Sequence, residues 1–426
     1  MKPYPIELPH KMTLLHLSEQ NFRTDRLTGV FALPLRQETA AEYAILPGLL
    51  TRSCAKYPTL SQFGRRLDAL YGASVQGEIF RLGGWQLLAF SISFLNRRYT
   101  LDGSDLTADC VNLLLDMLFD PALVEGEFPA DVFAQEKRCL LERLQGEVNN
   151  KRLYARQRCE ELLCPDHPFS YNPNGTEETV NALTPATAEA ARQRMLAEAN
   201  IHWLYQSADD TAALTRELDA RFATLGERSV AAVNADTTFA MKESELIEQM
   251  QVSQAKLVLG FRIAVTEPDG DIVAAQLMNT LWGGCATSLL FTHVREEKSL
   301  CYYCASTYDR YAGIILVDSG IQAKDADDAR EEILKQLDAI REGNFSDDEL
   351  EAARRCLIQR YNSACDNADA LESFYIGQTV YDNYLTPDQM RAKALEVTRE
   401  DVCRAARLTH FDSLYILKPD NEEVAE

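Results

Sequence analysis

The sequence predicts an α+β fold made twice: two domains of like topology, each an antiparallel sheet flanked by helices, related by a pseudo-twofold axis. Three observations predict it. Sequence motifs recur in the same order at spacings near half the chain length. Each half holds a helix followed by a pair of apolar strands. Helix-start signals stand at corresponding places in the two halves.

In the first half, a helix from Glu42 to Cys54 precedes an amphipathic one from Leu60 to Leu70. The alternation Val75, Ile79 and then Leu87, Phe90, Ile92 about Gly83-Gly84 predicts a β-hairpin. In the second half, a helix from Ile272 to Trp282 precedes LCYYCASTYDRYAGIILVDSGI, two strands that turn between Asp309 and Gly313. A helix around Leu106–Phe119 corresponds to one around Asp325–Arg341. EKRCLLERL, from Glu136, matches ARRCLIQRY, from Ala353, and so pairs Cys139 with Cys356. ALTPATAEAARQRM, from Ala182, matches EVTREDVCRAARL, from Glu396, with Thr184 and Thr398 as N-caps. Ser346-Asp-Asp-Glu349 is a capping box, a device worth ~1 kcal/mol. The predicted domains are 1–225 and 249–426, with a polar linker over 226–248.

The chain has 426 residues, 46% of them apolar and 25% charged, which fits an ordinary globular protein of two or three domains. A formal net charge of -22 argues against nucleic acid as a partner, because phosphates are repelled, and favours basic or neutral peptides. The start, MKPYPIELPHKMTLLHLSEQ, lacks an apolar core long enough for a signal peptide. No window approaches the ~20 apolar residues of a membrane span, so the expected location is cytoplasmic, with no membrane partner. Eleven scattered cysteines, an odd number, fit buried thiols in a reducing compartment. Cys301-Tyr-Tyr-Cys304 is formally a CxxC. On a strand its two thiols are expected on opposite faces, which opposes a shared metal.

Most catalytic signatures are absent: no GxGxxG, GxxxxGK[ST], GxSxG, HExxH or HxxEH occurs. His10 and His16 fall in the N-terminal strand region, and His202, His293 and His410 are isolated. His167 follows Cys164-Pro-Asp, which leaves a Cys/His dyad conceivable in a proline-rich turn. The run LWGGCATSLLFTHVREEKSLCYY, Leu281 to Tyr303, is different in kind. It reads as a helix ending in a Gly pair, a short loop, a charged turn and an aromatic strand. Arg295 and Tyr302 stand seven residues apart across that turn. An Arg fork can give a peptide carbonyl or carboxylate two charge-assisted hydrogen bonds, each worth ~1.5–3 kcal/mol before costs. A Tyr hydroxyl can donate to a developing oxyanion. The plainer alternative pairs Arg295 with Glu296 or Glu297 and packs Tyr302 in the sheet.

This run resembles the C-terminal-half signature of the pitrilysin/insulinase-type zinc metallopeptidases. Leu290-Phe291, Val294-Arg295-Glu296, Leu300 and Tyr302 fit it, while Ser299 stands where that family usually has Gly. The resemblance extends over nearly the whole chain and implies a clam-like pair of domains. The family binds zinc through HxxEH in its first half, with a Glu on a later helix as the third ligand. Here the corresponding segment is Ala44-Ile-Leu-Pro47-Gly48, a degenerate motif without ligand or base, and no catalytic residue is intrinsic to the chain. Glu136 and Glu142 lie on the later helix, where a solvated helix face is expected. In two-subunit members of the family, one chain carries HxxEH and the other the Arg/Tyr pair. This sequence is similar to the second kind, most of all to the silent member of paired proteins of Gram-positive bacteria associated with elongation factor P modification. The resemblance thus implies a non-catalytic, substrate-binding subunit of a heterodimer, with Arg295 and Tyr302 holding peptide against zinc in the partner chain. This chain would bind no metal itself, and a homodimer remains open when the partner is absent. Tyr303–Tyr308 or the Gln86–Phe94 edge would take the peptide as an added strand. The alternatives are a structural or regulatory homologue with no part in proteolysis, and an independent cysteine hydrolase using Cys164 and His167.

Overall fold

Two sheets carry the same strand order, and helices cover both. The computed structural model describes residues 5–18, 22–231, 243–267, 271–381 and 383–420. The first half runs β1 (Pro5–Leu8), β2 (Met12–Leu17), β3 (Thr24–Pro34), α1 (Ala40–Ala44), α2 (Leu46–Leu50) and α3 (Leu60–Ala69). Then come β4 (Ser74–Leu82), β5 (Trp85–Leu95), α4 (Thr107–Phe119), α5 (Ala130–Asn149) and α6 (Lys151–Leu163). It ends with α7 (Glu177–Ala182), α8 (Pro185–Glu198), β6 (Asn200–Gln206) and α9 (Ala212–Phe222). The second half runs β7 (Ser244–Met250), β8 (Ala255–Ile263), α10 (Ile272–Asn279), β9 (Cys301–Asp309) and β10 (Ile314–Ile321). It continues with α11 (Ala326–Glu342), α12 (Asp347–Ser363), α13 (Ala368–Thr379), α14 (Pro387–Glu396), α15 (Arg399–Arg407) and β11 (Thr409–Pro419).

The sheet orders are β1-β2-β6-β3-β5-β4 and β7-β11-β8-β10-β9. From β2 onward they correspond strand for strand, so the α+β duplication is present in the topology. The sheets are mixed, not antiparallel throughout: β2 pairs with β6, and β7 with β11, in parallel. These partners are joined through long helical connections, which permit parallel pairing as a tight turn does not. The capping boxes at Thr184, Ser346 and Thr398 are all formed.

Four expectations need correction. The helix expected from Glu42 to Cys54 is two short ones, α1 and α2, because Pro47 cannot donate within a continuous helix and fits the first turn of a new one. The Gln86–Phe94 segment is no edge: β5 is paired with both β3 and β4, and β4 is the edge strand. Part of the expected 226–248 linker, Ser244 onward, is β7; residues 232–242 lie outside the described residues. The boundaries 1–225 and 249–426 also do not follow the compact units. One unit comprises Met1–Gln145, Tyr171–Asn234 and Asp366–Tyr384, and the other Gly146–Ser170, Ala235–Cys365 and Leu385–Glu426. The first-half helix α6 therefore belongs to the second unit, and the second-half helix α13 to the first.

In the first unit, Phe31, Phe90 and Trp203 pack edge-to-face under the helices, with ring centroids 5.9 and 6.2 Å apart. The other sheet face packs Val30, Leu87 and Leu204 against Leu371 and Tyr375 of α13. In the second unit, Ala155, Cys159 and Leu163 recur every fourth residue along α6 and meet Val258, Leu316 and Tyr415. Gly260 makes that close approach possible, since a Cβ there would lie 2.4 Å from Leu163 Cδ1. Covering both faces explains why β10 is buried along its whole length. A polar clasp fixes α6: Asp318, 1% exposed on its side chain, accepts from Arg152 at 2.5 Å and Arg156 at 2.8 Å. Beside it, Glu248 accepts from Arg158 at 2.7 Å and from the Tyr415 hydroxyl at 2.6 Å.

Candidate functional site

The first unit holds an open cavity of about 350 Å³ at the degenerate motif. Ala44, Pro47 and Gly48 line it together with Glu136, Cys139 and Arg143 of α5. Ala44 closes α1, and Pro47 and Gly48 lie within α2, all three facing the cavity shared with α5. Gly48 sits directly under Glu136: a Cβ there would fall 2.2 Å from Glu136 Oε2. The expected solvated role for Glu136 is wrong. Its carboxylate is bound by the Arg52 guanidinium, and the two side chains are 17% and 21% exposed. Arg52 follows the C-cap of α2, Thr51, and reaches back to Glu136 on α5. The cavity's Glu136 carboxylate is thus already paired with a cation. Glu142, in contrast, is solvated, 66% exposed and 3.7 Å from Arg138. Among the described residues no three His, Cys, Asp or Glu side chains converge as metal ligands do.

The second unit holds another open cavity, of about 360 Å³, lined by Arg295, Glu296, Ser299, Cys301, Tyr302 and Asp325 among others. Both predicted binding residues are therefore in one cavity. Arg295 lies in the last turn of a wide-turned π-helical segment, Leu290–Glu297, and a second such segment, Thr280–Gly284, precedes it. Such turns are frequent at functional sites. The Arg295 guanidinium lies 4.7 Å above the Phe291 ring, which orients it. Its pairing with Glu296 is real but weak, 3.4 Å between half-exposed groups. Ser299, with φ +53°, makes the left-handed turn that leads into β9. That conformation is easy for glycine and costs another residue ~1–2 kcal/mol.

Tyr302 does not pack in the sheet. The pairing of β9 with β10 slips between Gly320 and Ile321: Gly320 faces Tyr303 and Ile321 faces Cys301, leaving Tyr302 as the extra residue of a bulge. Bulges re-aim side chains beside functional sites, and Tyr302 is 66% exposed. The bulge also overturns the expectation for the CxxC. Cys301 and Cys304 are both buried, on the same side of β9, instead of on opposite faces. Cys304 donates to Cys301, which holds the Cys301 thiol below its ordinary value and lifts that of Cys304.

The remaining candidates do not assemble a site. Burial pushes the Cys164 thiol up to about 12, the opposite of what a nucleophile needs. His167 Nδ1 is taken by the Phe169 amide at 3.1 Å, in the local turn. His10 meets Asp219 at 3.2 Å, His16 the Ser207 carbonyl at 3.0 Å, His202 the Thr13 hydroxyl at 2.8 Å and His293 the Glu297 carboxylate at 2.7 Å. His410 is an exposed residue of β11. Arg52 and the Tyr302 bulge were missed from sequence. The four-residue step from Gly48 to Arg52 was a usable signal for the first, whereas nothing local marks the bulge.

Comparison with known proteins finds similar sequences and similar folds. Residues 191–357 match the model of the peptidase M16 inactive domain. The chain is 29% identical over 401 residues, 94% of each chain, to a probable inactive metalloprotease, YmfF, of Bacillus subtilis. A conserved protein of Enterococcus faecalis has a similar structure, with a TM-score of 0.87 at 26% identity over 99% of this chain and 100% of that one. A peptidase M16 inactive domain from Pseudomonas fluorescens superposes with a TM-score of 0.80 over 99% of each chain at 16% identity, a likeness of fold. The chain is similar in sequence to inactive M16-type peptidases and has an M16-like two-unit α+β fold.

Proposed function

We propose that the chain is the non-catalytic, peptide-binding subunit of a heterodimeric zinc peptidase, and that it supplies Arg295 and Tyr302 to a homologous partner carrying HxxEH. The observation that carries this proposal is the bulge, which leaves Tyr302 exposed and lining the Arg295 cavity instead of packed in the sheet. A half-exposed guanidinium with only a weak ion pair is available to a peptide carbonyl. The β9 edge beside it can take an extended peptide as an added strand, and the charge of -22 favours a basic one. Zinc belongs to the partner in this proposal, since Arg52 already neutralises Glu136 in the degenerate cavity. A cytoplasmic location and the association with elongation factor P modification are part of the same proposal.

Tyr302→Phe tests it. With a homologous HxxEH partner and a basic reporter peptide, loss of the hydroxyl should lower kcat about 10²–10³-fold while KM changes little. An unchanged kcat in an intact complex would leave the chain as a structural or regulatory homologue only.

A further inference from the structure

The second unit repeats two residues that line the degenerate cavity of the first. Cys356 and Arg360 of α12 follow Cys139 and Arg143 of α5 by the same number of residues. Cys139 and Arg143 line the first unit's cavity. In the second unit, α12 packs on the segment Thr280–Gly284, and Arg360 donates to the Gly284 carbonyl. Cys356 stands one turn before Arg360, and Cys285 follows Gly284 directly. The Arg360–Gly284 contact thus brings Cys356 and Cys285 into one cluster, with the Arg360 guanidinium beside Cys356. Cys285 Sγ also lies 3.4 Å from the Thr287 hydroxyl and 3.5 Å from the Thr280 carbonyl. Both thiols are half-exposed, unlike Cys301 and Cys304, which are buried.

We propose that Cys285 and Cys356 form a reactive dithiol that is oxidised reversibly to a disulfide by hydrogen peroxide. Cys285 is the attacking sulfur, because the Thr287 hydroxyl beside its Sγ can donate to it. Its sulfur takes one oxygen of peroxide as the O–O bond breaks, giving a sulfenic acid and one water. Cys356 then attacks that sulfur, and the S–O bond breaks as the S–S bond forms. The hydroxyl leaves with the Cys356 proton as a second water. Overall two thiols lose two electrons and two protons, and one peroxide is reduced to two waters. The bond staples the small-residue loop before the Arg295 segment to α12. This inference does not depend on the peptide-binding proposal.

The test uses the full reduced chain treated with equimolar hydrogen peroxide, then peptide mapping without reductant. The expected first product is a linked pair of peptides containing Cys285 and Cys356, reversed by dithiothreitol. Cys356→Ser should leave Cys285 trapped as a sulfenic acid, detectable with dimedone, with no linked pair. Recovery of both thiols free while another cysteine reacts first would overturn the proposal. So would dimedone labelling at Cys356 in a Cys285→Ser chain as fast as labelling at Cys285 in the Cys356→Ser chain.

Discussion

Replacing Asp318 with Ala should loosen α6 selectively. Asp318 is buried on β10 and holds α6 through Arg152 at 2.5 Å and Arg156 at 2.8 Å. A hydrogen bond to a charged group contributes ~1.5–3 kcal/mol net. The Arg152 side chain is 47% exposed and can return to water, so its bond is discounted to about 0–1 kcal/mol. The Arg156 side chain is 20% exposed and keeps about 2 kcal/mol of its bond. The expected loss is therefore about 2–3 kcal/mol, less than the ~3–5 kcal/mol of a fully stranded charge. Hydrogen exchange of the amides of α6 reads this directly. Their protection should fall about 30- to 150-fold, while α13 in the other unit keeps its protection. Asp318→Asn, which retains one acceptor, should lose less. Unchanged exchange in α6, or an equal loss in α6 and α13, would refute the clasp.

Further outcomes follow from the same structure. Ser299→Gly removes the left-handed strain before β9 and should raise unfolding stability by about 0.5–1 kcal/mol in urea titrations; a loss would contradict the observed turn. Burial lifts the carboxyl of Glu372 above its ordinary value, against the opposing Arg26. A raised carboxyl gives stability that is present below its unfolded pKa and is lost as pH rises through its folded pKa. Glu372→Gln should therefore unfold at higher urea than the parent at pH 7, with the difference vanishing at acid pH; an equal gap at both would refute it. Writing HxxEH back in, through Ala44→His, Pro47→Glu and Gly48→His, should give only weak zinc binding by calorimetry. Adding Arg52→Ala should strengthen binding at least tenfold by freeing Glu136, and equal affinities would show that Arg52 is no barrier.

The duplication was legible because its signals are local. The caps at Thr184, Ser346 and Thr398 and the strand pairs recur in order, and each formed as expected. What depends on distant pairing was not legible. Whether β4 or β5 is the edge is decided by β3, which lies far back in the chain. The stripe Ala155, Cys159, Leu163 predicts that α6 buries one face, but not that this face meets the second sheet. In the site, Arg295 and Tyr302 were legible as a spaced pair. The direction of Tyr302 was not, since a one-residue slip against Gly320 and Ile321 sets it. That same slip puts both thiols of the CxxC on one side. Glycine at position 48 marked the lost ligand, yet the Arg52–Glu136 pair that fills its place appears only in the packing.

The most direct measurement of the central claim is peptide turnover by an HxxEH-bearing homologue, assayed alone, with this chain, and with its Arg295→Ala variant. Little turnover is expected from the homologue alone and full turnover from the mixture. The variant should still form the complex, seen by size-exclusion chromatography, and lose about 10- to 150-fold in kcat/KM, as expected for one charged hydrogen bond to the substrate. Equal turnover with the parent chain and with Arg295→Ala, both in the complex, would contradict it.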